Sequence, residues 1–421
     1  MNLARIKFLF SLGVTVFILF CAFGTMPRTP ALAADGLEQQ TPSPGPPARF
    51  AFGGNAAQIP AAFVGNLIFM PVRVSASKTL LFELDSAAVT SSIDPERASE
   101  LGLKLESDGA GAGSAGQTVK NVDLSLPGLD IPMASLPAIS RQNFAAETGQ
   151  SCQGVLGKDF FDRVVMEVDY IRETVQLHDP AVFTYEGTGK SFPLAFPAGI
   201  PLLRAKSEIS GRKTIEADFG VDTALDASIL FFRSFSDAEK ISAARFKTVS
   251  ASYPQIDDGA KILLGRLRNF QIGPFLAETP VAIFSQSNSG GTPGNKLAGS
   301  IGGDFLHRFT VIFDFPHQRI ILNPNLQFNH SIDEDMSGLS LIAKGANLKT
   351  FEVVQVQPGT PAADAGIQKG DIIVAVDDEA AADLALAAIR GLFRQVGHEY
   401  KLLIDRKGQS ITVSIKMRRL L

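Results

Sequence analysis

The chain has 421 residues, 45% of them hydrophobic, and a formal charge of −4, which suits about two to three packed domains and excludes a highly charged disordered chain. Its two cysteines, Cys21 and Cys152, exclude a disulfide-stapled scaffold. The acidic balance argues against a phosphate-binding surface, so nucleic acid is not an expected partner.

Residues 1–33 run from a basic start (Arg5, Lys7) through an apolar stretch, Phe8–Phe23, to Ala31-Leu32-Ala33. That order of charge, apolar run and small residues is expected to act as a secretory signal peptide, exporting the protein to the periplasm or the medium. Cleavage would remove Cys21 and move the formal charge from −4 to −7, because Arg5, Lys7 and Arg28 leave with no acid. Left uncleaved, the same segment would be a membrane tether. Residues 34–55 are rich in Pro, Gln and Gly without an apolar period, and read as a flexible tether.

From residue 56 to 328, short β-branched and aromatic runs alternate with Gly, Pro, Asn and Asp, the pattern of an all-β fold. This stretch repeats itself. An apolar strand ends in Asp85-Ser86-Ala87-Ala88, and a second ends in Asp222-Thr223-Ala224-Leu225. Later, Gly154-Val155-Leu156-Gly157-Lys158-Asp159-Phe160 matches Gly299-Ser300-Ile301-Gly302-Gly303-Asp304-Phe305 without a gap. Each copy leads into a strand pair, Val164–Leu177 and Phe309–Leu322, turning at Arg172-Glu173 and at Pro316-His317-Gln318. The duplication predicts two similar lobes, 56–185 and 186–328.

These motifs, twice in the same order, resemble the retropepsin-like and pepsin-like aspartic proteases, in which a strand ends in Asp-Thr/Ser-Gly and a later strand ending in Gly threads behind that turn. The resemblance covers about residues 60–325. It implies that Asp85 and Asp222 form one catalytic dyad and that Ser86 and Thr223 bond across the lobe interface. It also implies that the N–H groups of Ala87 and Ala224 face the carboxylates and that Gly157 and Gly302 lie on the strands behind the turns. Carboxylates about 3 Å apart share one proton, so one activates water while the other polarises the scissile carbonyl. The chain departs from the family at Ala87 and Ala224, where glycine is the rule; a methyl is added there and φ is restricted. Ala88 and Leu225 lack the hydroxyl that pepsins carry next, which is closer to retropepsins.

The stretch from Ser107 to Gly116 is rich in glycine and reads either as the tip of a mobile flap over the cleft or as a plain loop. Asp159 and Asp304 read as caps of short helices or turns. Cys152 reads as structural. The histidines, His178, His307, His317, His330 and His398, have no metal-ligand spacing, so neither metal nor cofactor is expected.

After a polar linker, 329–336, residues 337–421 carry Pro358-Gly359-Thr360-Pro361-Ala362 and Ala365-Gly366-Ile367 before Gly370-Asp371-Ile372-Ile373. This run resembles a PDZ domain. The resemblance implies that the backbone of Gly338, Leu339, Ser340 and Leu341 receives the carboxylate of a peptide C-terminus, with the peptide added as a strand and a helix over 382–395 as the facing wall. A groove filled in cis is the other reading.

The fold class expected is therefore mainly β: two homologous six-stranded-type acid-protease β-barrel lobes followed by a PDZ domain, a β-sandwich with two helices. The function expected is an exported aspartic endopeptidase acting on polypeptides, with one chain sufficient. The alternative is a catalytically inactive, protease-like peptide-binding or scaffold protein acting through its PDZ domain.

Overall fold

In the first half, short apolar strands close on themselves. In the computed structural model, Leu67–Val74 pairs with Leu80–Leu84, which lies parallel to Gly154–Leu156. Gly154–Leu156 pairs with Ser92–Ile93, and that strand with Leu129–Ala138. The hairpin of Leu129–Ala138 with Gln117–Leu126 returns to Leu67–Val74 through Arg73 and Val74, closing a ring of six strands. Closure leaves the ring without an exposed strand edge. The structure describes residues 46–56, 58–107, 116–209, 214–241, 246–251, 262–287, 297–330 and 333–421. The expected signal segment 1–33, the start of the expected tether and residues 108–115 of the expected flap lie outside them.

The second lobe follows the same order. Leu202–Glu208 pairs with Ile215–Val221, which lies parallel to Leu297–Ile301; that strand pairs with Ile229–Phe231, and Ile229–Phe231 with Val281–Ser285. Its long hairpin is broken in both arms. Ile262–Arg266 pairs with Val281–Ser285, and Asn269–Ile272 with Phe275–Glu278 and Leu202–Glu208. The bonds from Leu267 N to Pro280 O, 2.9 Å, and from Thr279 N to Arg268 O, 3.0 Å, carry the pairing through the break.

The two strand pairs that follow the Gly-x-Asp-Phe segments join the lobes. Val165–Asp169 lies antiparallel to Phe309–Asp314, so Thr174–His178, Val165–Asp169, Phe309–Asp314, Arg319–Pro324 and Lys190–Pro193 form one five-stranded sheet. Beneath it, Phe161 of the first lobe stacks on Phe315 of the second at 4.8 Å between ring centres and meets Phe313 edge-on at 5.6 Å. The tether is shorter than expected. Arg49–Phe50 pairs with Leu129–Ala138 and Asn55 bridges to His178, because Ala48 and Phe50 find apolar surface on the first lobe.

The C-terminal domain orders its strands Leu339–Lys344, Thr350–Val356, Ile372–Val376, Glu399–Arg406 and Gln409–Lys416, with Leu339–Lys344 at one edge. Its separate core includes Phe351, Ile389, Phe393 and Leu402. The helix expected over 382–395 is shorter. A 3-10 turn at Ala381–Asp383 gives way to extended Leu384 and Ala385, and the α-helix is Leu386–Leu392.

Phe161 is fully buried between the lobes. Phe161→Ala is expected to cost about 3–5 kcal/mol, read as a lower denaturation midpoint.

Candidate active site

The apolar strands Leu80–Leu84 and Ile215–Val221 deliver Asp85 and Asp222 to two turns that mirror each other. Asp85 N donates to Leu156 O at 3.0 Å, and Asp222 N to Ile301 O at 2.9 Å. Each turn is thus tied to the strand threading behind it. Gly157 and Gly302 stand one residue past those strands, as N-caps of the next helices, rather than on them as expected; a Cβ at Gly157 would stand 2.6 Å from Thr90 C, and one at Gly302 would stand 2.2 Å from Ala227 O. Backbone cannot yield at such distances, so both positions need glycine.

Two hydroxyls cross between the lobes. Ser86 Oγ donates to Val221 O at 2.8 Å and accepts from Thr223 N at 3.1 Å. Thr223 Oγ1 donates to Leu84 O at 2.6 Å and accepts from Ser86 N at 3.0 Å. Both residues are fully buried. Ala87 N and Ala88 N each donate to Asp85 Oδ1 at 2.9 Å, and Ala224 N donates to Asp222 Oδ1 at 3.1 Å. Ala87 and Ala224 both keep negative φ. Their backbone therefore does not call for glycine, and the methyl brings no conformational strain.

Burial, followed by the field of Asp85, pushes Asp222 up to about 8. Burial also raises Asp85, but the N–H groups of Ala87 and Ala88 and the charge of Arg141 pull against it. Both carboxyls are thus raised, Asp85 against the pull of Arg141 and Asp222 with the added push of Asp85 and Glu83, as expected of two close acids that resist ionising together.

A third acid stands beside them. Glu83, two residues before Asp85 on the same strand, is buried and paired with Arg141. Burial pushes Glu83 up to about 7 against the pull of Arg141. Glu83, Asp85, Ser140, Arg141, Gln142, Phe144 and Ala224 line a cleft of about 520 Å³. Neither Glu83 nor Arg141 was singled out in the sequence. The available signal was an acid within the apolar run Leu81-Phe82-Glu83-Leu84, which demands a buried partner.

Asp159 and Asp304 do not cap. Each stands one residue inside a helix whose N-cap is glycine. Asp159 Oδ1 accepts from Ser91 N at 2.7 Å and from Ser91 Oγ at 2.6 Å, while Asp304 pairs with Arg394 at 3.3 Å. Asp226, also missed in the sequence, accepts from Asn66 Nδ2 at 2.9 Å, and burial raises it against the field of Arg394. Asn66, Asp226, Asp304 and Arg394 thereby tie both lobes to the C-terminal domain.

In that domain Gly338 takes φ +77°, and a Cβ there would stand 2.2 Å from Thr360 Oγ1. Leu339 N donates to Ser337 Oγ at 3.1 Å. Gly338, Leu339, Ser340 and Leu341 open on a cavity of about 130 Å³ shared with Glu147, Arg390 and Arg394.

Residues 336–417 match the family profile of the PDZ domain, and the chain carries a PDZ domain there. No curated protein matches the chain in sequence. Among solved structures, an aspartic proteinase from Irpex lacteus aligns over 66% of this chain and 99% of its own, with 14% identity and a TM-score of 0.42. Basic 7S globulin from soybean aligns over 64% of this chain and 94% of its own, with 10% identity and a TM-score of 0.37. The photosystem II D1 C-terminal processing protease aligns over 20% of this chain and 22% of its own, with 25% identity and a TM-score of 0.18.

Two outcomes follow from this geometry. Ser86→Ala and Thr223→Val should each cost about 1–3 kcal/mol, since each strands buried polar groups. The double variant should cost less than their sum, because they share one network; denaturant titration of the four proteins reads this. Asp222, raised from 3.8 to about 8, binds its proton more tightly in the folded state. Its contribution to stability is full below 3.8 and is lost as pH rises through about 8. The melting temperature of Asp222→Asn should therefore gain on that of the parent as pH rises through this window.

Proposed function

We propose that the protein is an aspartic-type endopeptidase, exported by its N-terminal segment, that hydrolyses polypeptides with water activated between Asp85 and Asp222. The observation that carries this reading is the reciprocal bonding of Ser86 and Thr223, which sets two aspartate turns face to face across the lobes. One chain supplies both half-sites.

Ionised Asp85 takes a proton from water as the water oxygen bonds to the scissile carbonyl carbon. Asp222 gives its proton to the carbonyl oxygen, leaving a neutral gem-diol. The proton on Asp85 then passes to the amide nitrogen, a gem-diol proton returns to Asp222, and the C–N bond breaks. The products are a carboxylic acid and an amine, and the dyad is back in its starting state. The charge of Arg141 beside Asp85 supports its role as base, and the fields of Asp85 and Glu83 on Asp222 support its role as acid.

The test is cleavage of an unfolded protein and a peptide library by the full chain across pH, beside Asp85→Asn and Asp222→Asn. Each substitution should lower the rate by at least about a hundredfold. The parent's rate should fall on the alkaline side as Asp222 loses its proton near 8, and on the acid side as Asp85 gains one. A folded parent that cleaves nothing at any pH would leave the protease-like, PDZ-centred binding protein as the better reading.

A further inference from the structure

A helix of the first lobe stands at the PDZ groove, beside the cavity onto which Gly338–Leu341 open. Its strand wall, Leu339–Lys344, pairs on one side with Thr350–Val356 and forms an edge of the sheet. Its helix wall is Leu386–Leu392. The helix Phe144–Thr148 of the first lobe packs against the strand wall, and a Cβ built on Gly149 would stand 2.8 Å from Leu386 Cβ. Arg390 Nη2 bridges the two, donating to Glu147 O at 3.0 Å and to Leu341 O at 2.9 Å.

The segment leading into this helix lines the cleft that holds Asp85. Arg141 pairs with Glu83, and its guanidinium lies 3.8 Å from the centre of the Phe144 ring. Phe144 in turn packs on Cys152, Leu67 and Phe69. The charged groups facing Asp85 are Glu83 from its own strand, Asp222 from the opposite turn and Arg141 from this segment. Moving the segment takes the cation away from three crowded carboxyls.

We propose that the groove's resident ligand is the helix Phe144–Thr148, that an extended polypeptide C-terminus competes with it, and that groove occupancy decides whether Arg141 stands beside the dyad. A helix does not form a ladder with an edge strand, whereas an extended peptide does, which gives the competitor its advantage. The resident ligand holds an effective concentration on the order of millimolar, so the competing peptide binds weakly. Arg141 is a positioning residue. With it gone, only the Ala87 and Ala88 N–H groups oppose the fields of Glu83 and Asp222, and Asp85 ionises at higher pH. The consequence for cleavage rests on the dyad reading; the grip on the helix does not.

Cys152 reports the grip without reference to catalysis, because it is buried under Phe144. The full chain and Arg390→Ala are treated with iodoacetamide, and alkylation of Cys152 is followed by mass spectrometry. The parent is also treated with a randomised peptide library bearing free C-terminal carboxylates and with the same library amidated. Labelling is expected to accelerate about tenfold in Arg390→Ala and with the free-carboxylate library, through local opening, and not with the amidated one. The acid limb of the kcat/KM profile is expected to move to higher pH under the same two conditions. Unchanged labelling in both overturns the grip, and accelerated labelling with an unmoved pH profile overturns the role of Arg141. Accelerated labelling in a protein that cleaves nothing upholds the grip and defeats the dyad reading instead.

Discussion

Two hydroxyls hold the candidate site together. Ser86 and Thr223 each place one oxygen between a carbonyl and an amide of the opposite lobe. Four such bonds amount to a few kcal/mol net, comparable to burying one or two large apolar side chains. The shared sheet and the Phe161, Phe313 and Phe315 cluster hold the lobes together by area; the hydroxyls decide where the aspartates stand. A slip along the interface that kept most of the apolar contact would break all four of these buried hydrogen bonds, which is why the position is so narrowly defined.

Chain geometry around Asp85 and Asp222 separates what must be glycine from what need not be. Gly157 and Gly302 press against the backbone of the turn they support, and no side chain fits. Ala87 and Ala224 are asked only for an N–H, aimed at a carboxylate from negative φ. The Gly-to-Ala departure from the aspartic-protease pattern therefore leaves that donor in place in both lobes.

The parts of the site legible in the sequence were local ones. The two Asp-hydroxyl-Ala turns and the two Gly-x-Asp-Phe segments are contiguous motifs, and duplication made them visible. The PDZ run was legible for the same reason. Partnerships set by tertiary packing were not: Arg141 reaches Glu83 from 58 positions away, and Asn66 reaches Asp226 from 160. Asp159 and Asp304 were mistaken for caps because an acid in a first helical turn looks the same whether it faces a backbone N–H or a distant Ser91 or Arg394. The sheet between the lobes was hidden because alternation marks a strand and says nothing of its neighbour.

The three domains converge on Asn66, Asp226, Asp304 and Arg394, and again where Arg390 bridges Glu147 to Leu341. The PDZ domain thus packs on the element that carries Arg141 to the cleft. The central claim remains the shared proton of Asp85 and Asp222. It is tested most directly by calorimetric titration of the full chain with a peptide carrying a secondary alcohol in place of the scissile carbonyl. Binding that disappears in both Asp85→Asn and Asp222→Asn is the predicted result. Binding that survives both substitutions, or no binding to the folded parent, would contradict the account.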